Sequence, residues 1–346
     1  MKLELNEFIA HYKNLIGCHV IDEHFIAPLT NKKGENGLTK VKLLNKTVEL
    51  FYRTDFKLAV LNNDKTTLLD LTDDILSLAY DLGFKTDNRW LNNAVLPYSI
   101  GNTKIGADTL VFNCSPALLC PSDLKGYCEN CNSCYAKNNE VIYGNPFVRN
   151  LLSFKKLLTI NIDTIIEHTL KAIKTDRRVK DGFKAKECIF IRINSNGDIL
   201  DDIMLKAIDK FVFSLIEAKT NNLQIGYSYT HNKNLDLNLS SNIVFNLSFK
   251  SSKTAKKCIT AYAWDKKYLD NSKYVICNGK CKNCPYCKDK TELRTIVFMA
   301  HGGGLKGLDM LPDGLIDVLN DHKASDWAKF HSKLCNPQQL TFDDFL

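Results

Sequence analysis

The sequence predicts an α/β fold in which a parallel sheet, open or curled into a partial (βα)6-type barrel, follows a small α+β region at the N-terminus. Two observations carry that prediction. From about residue 108 onward, short apolar runs alternate with stretches of helical spacing, the pattern of strands joined by helical crossovers. Before that point helical and alternating apolar patterns are mixed and no chemical motif stands among them.

Taken in order, Glu4 to Leu15 has apolar residues at helical spacing, Val41 to Leu61 alternates in the manner of strands and hairpins, and Leu68 to Leu82 reads as an amphipathic helix. Residues 1–103 therefore form the small α+β region. Thr109 to Asn113 (TLVFN) is the first strand of the βα series, and a long helical stretch runs from Pro146 to about Lys174. Glu187 to Asn194 (ECIFIRIN) is a buried type of strand, followed by a helix from Ile199 to about Lys219. Asp198 stands where the cap of that helix would be, with Asp201 and Asp202 in its first turn, where the helix dipole favours acids. Leu223 to Thr230, Asn242 to Ser248, Ile259 to Trp264 and Arg294 to Ala300 complete six strands, so residues 104–304 form the βα core and 305–346 a C-terminal extension. In such folds the chemistry gathers at the carboxyl ends of the strands.

The composition, 45% hydrophobic and 25% charged, is ordinary for a soluble globular protein. No run of about 18 apolar residues occurs, which argues against a membrane span. The N-terminal MKLELNEF lacks the apolar stretch of a signal peptide. A cytoplasmic chain is expected. Thirteen cysteines is a high count for that compartment, where disulfides are reduced and clustered thiols point to metal. Cys18, Cys114, Cys188, Cys258 and Cys335 are scattered and read as small buried apolar side chains, Cys114 being the exception to watch.

The other eight fall into two groups. Cys120, Cys128, Cys131 and Cys134 form C-x7-C-x2-C-x2-C, and Cys277, Cys281, Cys284 and Cys287 form C-x3-C-x2-C-x2-C. Thiolates at this spacing turn back onto a single centre, and four of them satisfy zinc or an iron–sulfur cluster. Repeated C-x2-C steps favour iron–sulfur, of the 4Fe-4S kind, with zinc as the alternative. The second group lies in a basic segment: from Lys250 to Lys290 eleven lysines face three aspartates, a local excess of +8 in a chain of net charge +7. Such a segment suits DNA or RNA, or is simply a solvated lysine face. His301 precedes Gly302, Gly303 and Gly304 at a strand's carboxyl end, where bare backbone N–H groups can approach an anion or cofactor and a histidine can bind metal or move a proton. His231, after Tyr229 and Thr230, is a weaker signal of the same kind. Arg192 points either into the barrel or out to solvent.

The place of the first cysteine group, directly after the first strand, resembles radical S-adenosylmethionine enzymes. Their partial barrel carries three cluster cysteines there, and a glycine-rich stretch after the second strand contacts S-adenosylmethionine. The corresponding place holds Asn194, Ser195, Asn196, Gly197 and Asp198. The spacing departs from that family, being x2/x2 rather than x3/x2, and Cys120 as a fourth ligand would leave no open iron. The x3/x2 spacing occurs instead at Cys277, Cys281 and Cys284, with Cys287 a spare fourth thiol. A closer resemblance, over roughly residues 104–304, is to the phage "gene product 88" family. It rests on the run KIGADTLVFNCSPALLCPSDLKGYCENCNSCYAKN, ending in Cys134, Tyr135 and Ala136 before Lys137 and Asn138, on Arg192 with Gly197 and Asp198, on Tyr229 and Thr230, and on His301 and Gly302. Asn194 departs from that pattern, where a histidine is expected. That resemblance supplies a map of sites rather than a reaction.

Together these readings give an iron–sulfur redox or radical enzyme acting on a nucleic-acid or nucleotide substrate. The first cluster would be its active centre and the second an auxiliary one. His301 and Asp198 are the catalytic candidates, and Asn194, Gly197, Tyr229, Gly302 and Gly303 the cofactor-binding ones. The alternative is a zinc-stabilised nucleic-acid-binding protein without catalysis.

Overall fold

The computed structural model describes residues 40–84, 96–101, 105–128, 134, 136–137, 140, 144–177, 184–218, 223–248, 258–261, 272–277, 281, 284–292 and 294–299. The stretch expected to alternate as strands is helical instead. Helix α1 (Lys40–Thr47) runs through a π-helical turn (Val48–Tyr52) into α2 (Arg53–Asn62). The physical reason is a four-residue stripe: Leu44, Val48, Phe56 and Val60 are all buried, and Tyr52 packs against the same core, a spacing that puts them on one helix face. Asn63 ends α2 in the left-handed conformation (φ 52°) and Asp64 caps α3 (Lys65–Asp81) by accepting from the Thr67 N–H at 3.1 Å. These helices share one hydrophobic core with the βα series, and Phe56 meets Phe154 with ring centres 5.8 Å apart. The Glu4–Leu15 helix lies outside the described residues.

Strand β1 (Tyr98–Ile100) pairs antiparallel with β2 (Thr109–Phe112) at the edge of a five-stranded sheet. After β2 come a single helical turn, α4 (Pro121–Leu124), then α5 (Asn145–Thr159) and α6 (Ile162–Thr175). The one long helix expected here is two, because Asn161 accepts from the Asp163 N–H at 2.8 Å and starts a new helix. Strand β3 (Phe190–Ile193) leads to α7 (Asp202–Glu217), then β4 (Ile225–Thr230) and β5 (Ile243–Leu247). β2, β3, β4 and β5 are parallel neighbours in sequence order. A second, wholly parallel sheet has the order β6 (Cys258–Ala261), β8 (Thr295–Met299), β7 (Tyr274–Ile276). No ladder joins the two sheets among the described residues. The architecture is thus mixed α/β around a mostly parallel five-stranded sheet.

Alternation assigns the two faces of that sheet. Ile191 and Ile193 of β3 and Ile243, Phe245 and Leu247 of β5 join the helical core. Gly226 lets α7 come close, since a Cβ there would stand 2.7 Å from Val212 Cγ1. Phe190, Tyr227, Tyr229 and Val244 face the other way and pack with Cys277, Cys287, Ile296 and Phe298. The second sheet and its cysteine loop therefore cover the face that the helices leave free.

Candidate metal centres

The carboxyl ends of β2, β3 and β4 converge on a set of loops held by side-chain hydrogen bonds as well as by apolar packing of Leu118, Leu119, Ile199 and Leu200. Gly197 (φ 69°) lies against the loop after β2, where a Cβ would stand 2.1 Å from the Ser115 carbonyl oxygen; only glycine fits. Beside it, Ser115 Oγ donates to the Asp198 carbonyl oxygen and accepts from the Asp198 N–H. Asp198 is 2% exposed. Its Oδ2 accepts from Ser122 Oγ at 2.7 Å and the His231 N–H at 2.8 Å; its Oδ1 accepts from the Ile199 N–H at 2.8 Å. Thr230 Oγ1 lies within 3.0 Å of both oxygens. Helix α7 is capped not by Asp198 but by Asp201, which accepts from the Met204 N–H, so the helix begins three residues later than its composition suggested. A carboxylate that accepts on both oxygens from loops after β2, β3 and β4 is a brace between three strand ends.

A second buried carboxylate, Glu140, escaped the sequence reading because no motif marks it. It is fully buried, and burial pushes its pKa above the ordinary carboxylate value despite hydrogen bonds that pull the other way. Its Oε1 accepts from Asn150 Nδ2 and Asn196 Nδ2, and its Oε2 from the Leu118 N–H. Asn113 completes the set by donating to Asn150 Oδ1 and accepting from the Ser195 and Asn196 N–H groups.

Three thiols of the first group, Cys120, Cys128 and Cys134, stand near this region; Cys131 lies outside the described residues. Burial pushes the Cys120 thiol well up, and Asp198, Cys128 and Cys134 add to the effect, which places the three thiols within electrostatic reach of one another. Cys134 is raised by burial and by Cys128 and Glu140. Cys114 is buried and likewise raised, by burial and then by Asp198. Asn194 adopts a left-handed backbone (φ 57°); its Oδ1 accepts from the Cys114 N–H, and its Nδ2 is buried without a partner.

The four thiols of the second group are all described, and they line one cavity together with Tyr227, Tyr229 and Lys288. Cys277 follows β7 and donates its N–H to the Val297 carbonyl; the Cys284 N–H turns back to the Cys281 carbonyl. Tyr229 packs beside Cys287 at this cavity, and burial, then the Cys287 thiol, carries its phenol well above the ordinary value. Arg192 points inward: its guanidinium carbon lies 5.2 Å from the Tyr229 ring centre. Burial raises the Cys281 thiol, as does Cys277, while Arg192 and Lys288 both pull it down. Among the described residues no three His, Cys, Asp or Glu side chains are already gathered as an ion site. The fit of a metal rests on donor chemistry: four thiols on one cavity, beside two cations, suit zinc or an iron–sulfur cluster.

His301, Gly302 and Gly303, and most of the Lys250–Lys290 segment, lie outside the described residues. His231, the weaker histidine, has its backbone N–H on Asp198 and its Nδ1 buried without a partner. Burial lowers its pKa below the ordinary 6.5, with Asp198 opposing. A histidine whose folded pKa is depressed contributes stability present above the unfolded value and lost as pH falls through the folded one. Replacement by glutamine is therefore expected to flatten the loss of stability below about pH 6.5, read as urea midpoints from pH 7.5 to 5; equal midpoint shifts in wild type and variant would refute it.

No helix among the described residues is long and apolar enough to cross a membrane. No family model matches the chain, and no curated protein or solved structure matches it.

Proposed function

We propose that the chain is an iron–sulfur protein with a radical-SAM-like partial barrel, a redox or radical enzyme acting on a nucleic-acid or nucleotide substrate in the cytoplasm. The observation that supports it most is the convergence of Cys277, Cys281, Cys284 and Cys287 on one cavity against the inward-facing tyrosines of a parallel sheet. A zinc knuckle is typically called on where a domain is too small to build a core; this cavity adjoins a chain whose sheet already has a large core on its other face. Cys120, Cys128, Cys131 and Cys134 would hold the other cluster. The clusters, when bound, supply one-electron transfer, and the first would also hold S-adenosylmethionine if one iron stays open.

The chain's own residues have separable tasks in this reading. Asn194 offers an unpartnered buried amide N–H to a ligand at the end of β3, and Gly197 keeps the neighbouring loop at close approach. Asp198 braces rather than catalyses, which leaves His301, with Gly302 and Gly303, as the proton-transfer candidate. Tyr229 belongs with the second centre through Cys287. The basic segment would hold the polyanionic substrate.

Purification without oxygen is expected to give a brown protein with about eight iron and eight sulfide per chain, as two four-iron clusters require. Cys284→Ser should lose about half of that iron. A colourless, iron-free and zinc-loaded product would overturn the reading in favour of a zinc-stabilised nucleic-acid-binding protein.

A further inference from the structure

Two cations on the inner face of the sheet form no ion pair with a carboxylate among the described residues. Arg192, on β3, lies over the Tyr229 ring, and its Nε is buried without an acceptor. Lys288 is 6% exposed; its ammonium donates to the Cys281 carbonyl at 3.1 Å and sits 3.6 Å from the Phe190 ring centre. Asp108 acts on Lys288 only at longer range. Burying a cation is costly unless an opposite charge is close, and aromatic faces return only part of that cost. Lys288 lines the cavity of the four thiols, and Arg192 lies over Tyr229, whose ring lines the same cavity.

We propose that Arg192 and Lys288 are the counter-charges of a dianionic four-thiolate metal centre on Cys277, Cys281, Cys284 and Cys287, and that Tyr229 donates a hydrogen bond to the Cys287 sulfur of that centre. The charges balance. Four thiolates around zinc, or around an oxidised four-iron cluster, leave a net charge of about −2, which one guanidinium and one ammonium neutralise. The arrangement also explains why the cations come from opposite sides: Arg192 from the sheet, Lys288 from the residue after the last thiol. Partners of this kind tune how tightly a centre is held as well as its electronics. The proposal rests on the reading that the second group binds metal, and is indifferent to whether the metal is iron or zinc.

The test uses the full chain purified without oxygen and challenged with rising concentrations of a chromogenic chelator, reading metal retained per chain; Cys284→Ser identifies the fraction held by the second site. Arg192→Gln and Lys288→Met are each expected to release that fraction at roughly tenfold lower chelator concentration, the loss of one nearby charge. Tyr229→Phe should release it at about fivefold lower concentration, the worth of one hydrogen bond. Arg192→Lys, which keeps the charge without the fork, should retain metal as wild type does. Metal held at the first site is the internal control for folding, and should either charge variant fail to fold, the other reads the same loss. Wild-type retention in both charge variants would overturn the proposal, as would an Arg192→Lys protein as leaky as Arg192→Gln. If the metal proves to be zinc but the charge variants leak, the proposed enzyme falls and this assignment stands. If wild type holds no metal on these four thiols, this assignment falls whatever the first site contains.

Discussion

Asp198→Asn is expected to destabilise the protein by about 3 kcal/mol, although the substitution changes one atom. The reason is the nature of its donors. Ser122 and Thr230 bring hydroxyls, which can rotate to accept a bond; the His231 and Ile199 N–H groups cannot. These two backbone donors fall on different carboxylate oxygens, so an asparagine amide in either orientation sets its NH2 against a backbone N–H. One hydrogen bond is lost and a buried donor is left facing another donor, the costly case. Ser122→Ala removes a single adjustable donor and should cost about 1 kcal/mol. Urea unfolding at pH 7 measures both. If Asp198→Asn kept the wild-type midpoint and lost only activity, Asp198 would be a catalytic group and the bracing role would be wrong.

That outcome bears on what could be seen in the sequence. β2 and β5 were legible because strands buried along their whole length are written as near-continuous apolar runs, TLVF and IVFNL, and β3 and β4 because β-branched and aromatic residues dominate FIRI and IGYSYT. β1 and β7 were not: each is three residues long, too short for any period to show. Val41–Leu61 misled because its four-residue stripe is interleaved with Leu50, Leu58 and Leu61, apolar residues that the helices leave exposed. Asp198 as the cap, with Asp201 and Asp202 in the first turn, places the helix three residues early, because composition cannot tell a capping aspartate from one in the first turn. The cysteine groups announced themselves by spacing alone. Arg192 was visible as a candidate but its pairing with Lys288 was not, since that depends on a sheet face and a loop brought together across nearly a hundred residues. Glu140 and Asn150 belong to no motif, and only the fold shows them as one network with Asn113 and Asn196.

Glu140→Gln is expected to cost about 2 kcal/mol, because the direction of every hydrogen bond in that network is set from outside it. The Ser195 and Asn196 N–H groups fix Asn113 Oδ1 as an acceptor. Asn113 Nδ2 must then donate to Asn150 Oδ1, which turns Asn150 Nδ2 toward Glu140. The Leu118 N–H arrives at the other oxygen. Each oxygen of Glu140 thus meets a donor whose polarity cannot be reversed without orphaning another, and a glutamine NH2 has nowhere to go. Asn150→Asp should be nearly as harmful by the same logic, since it sets a second carboxylate against Glu140 in the interior. The double variant Glu140→Gln with Asn150→Asp, however, restores a donor facing an acceptor across that contact. It is expected to recover part of the loss, so the two changes should be clearly non-additive in urea unfolding. Strict additivity would show that the four side chains act separately, and that the loop after β2 is held to the end of β3 by the backbone rather than by this relay.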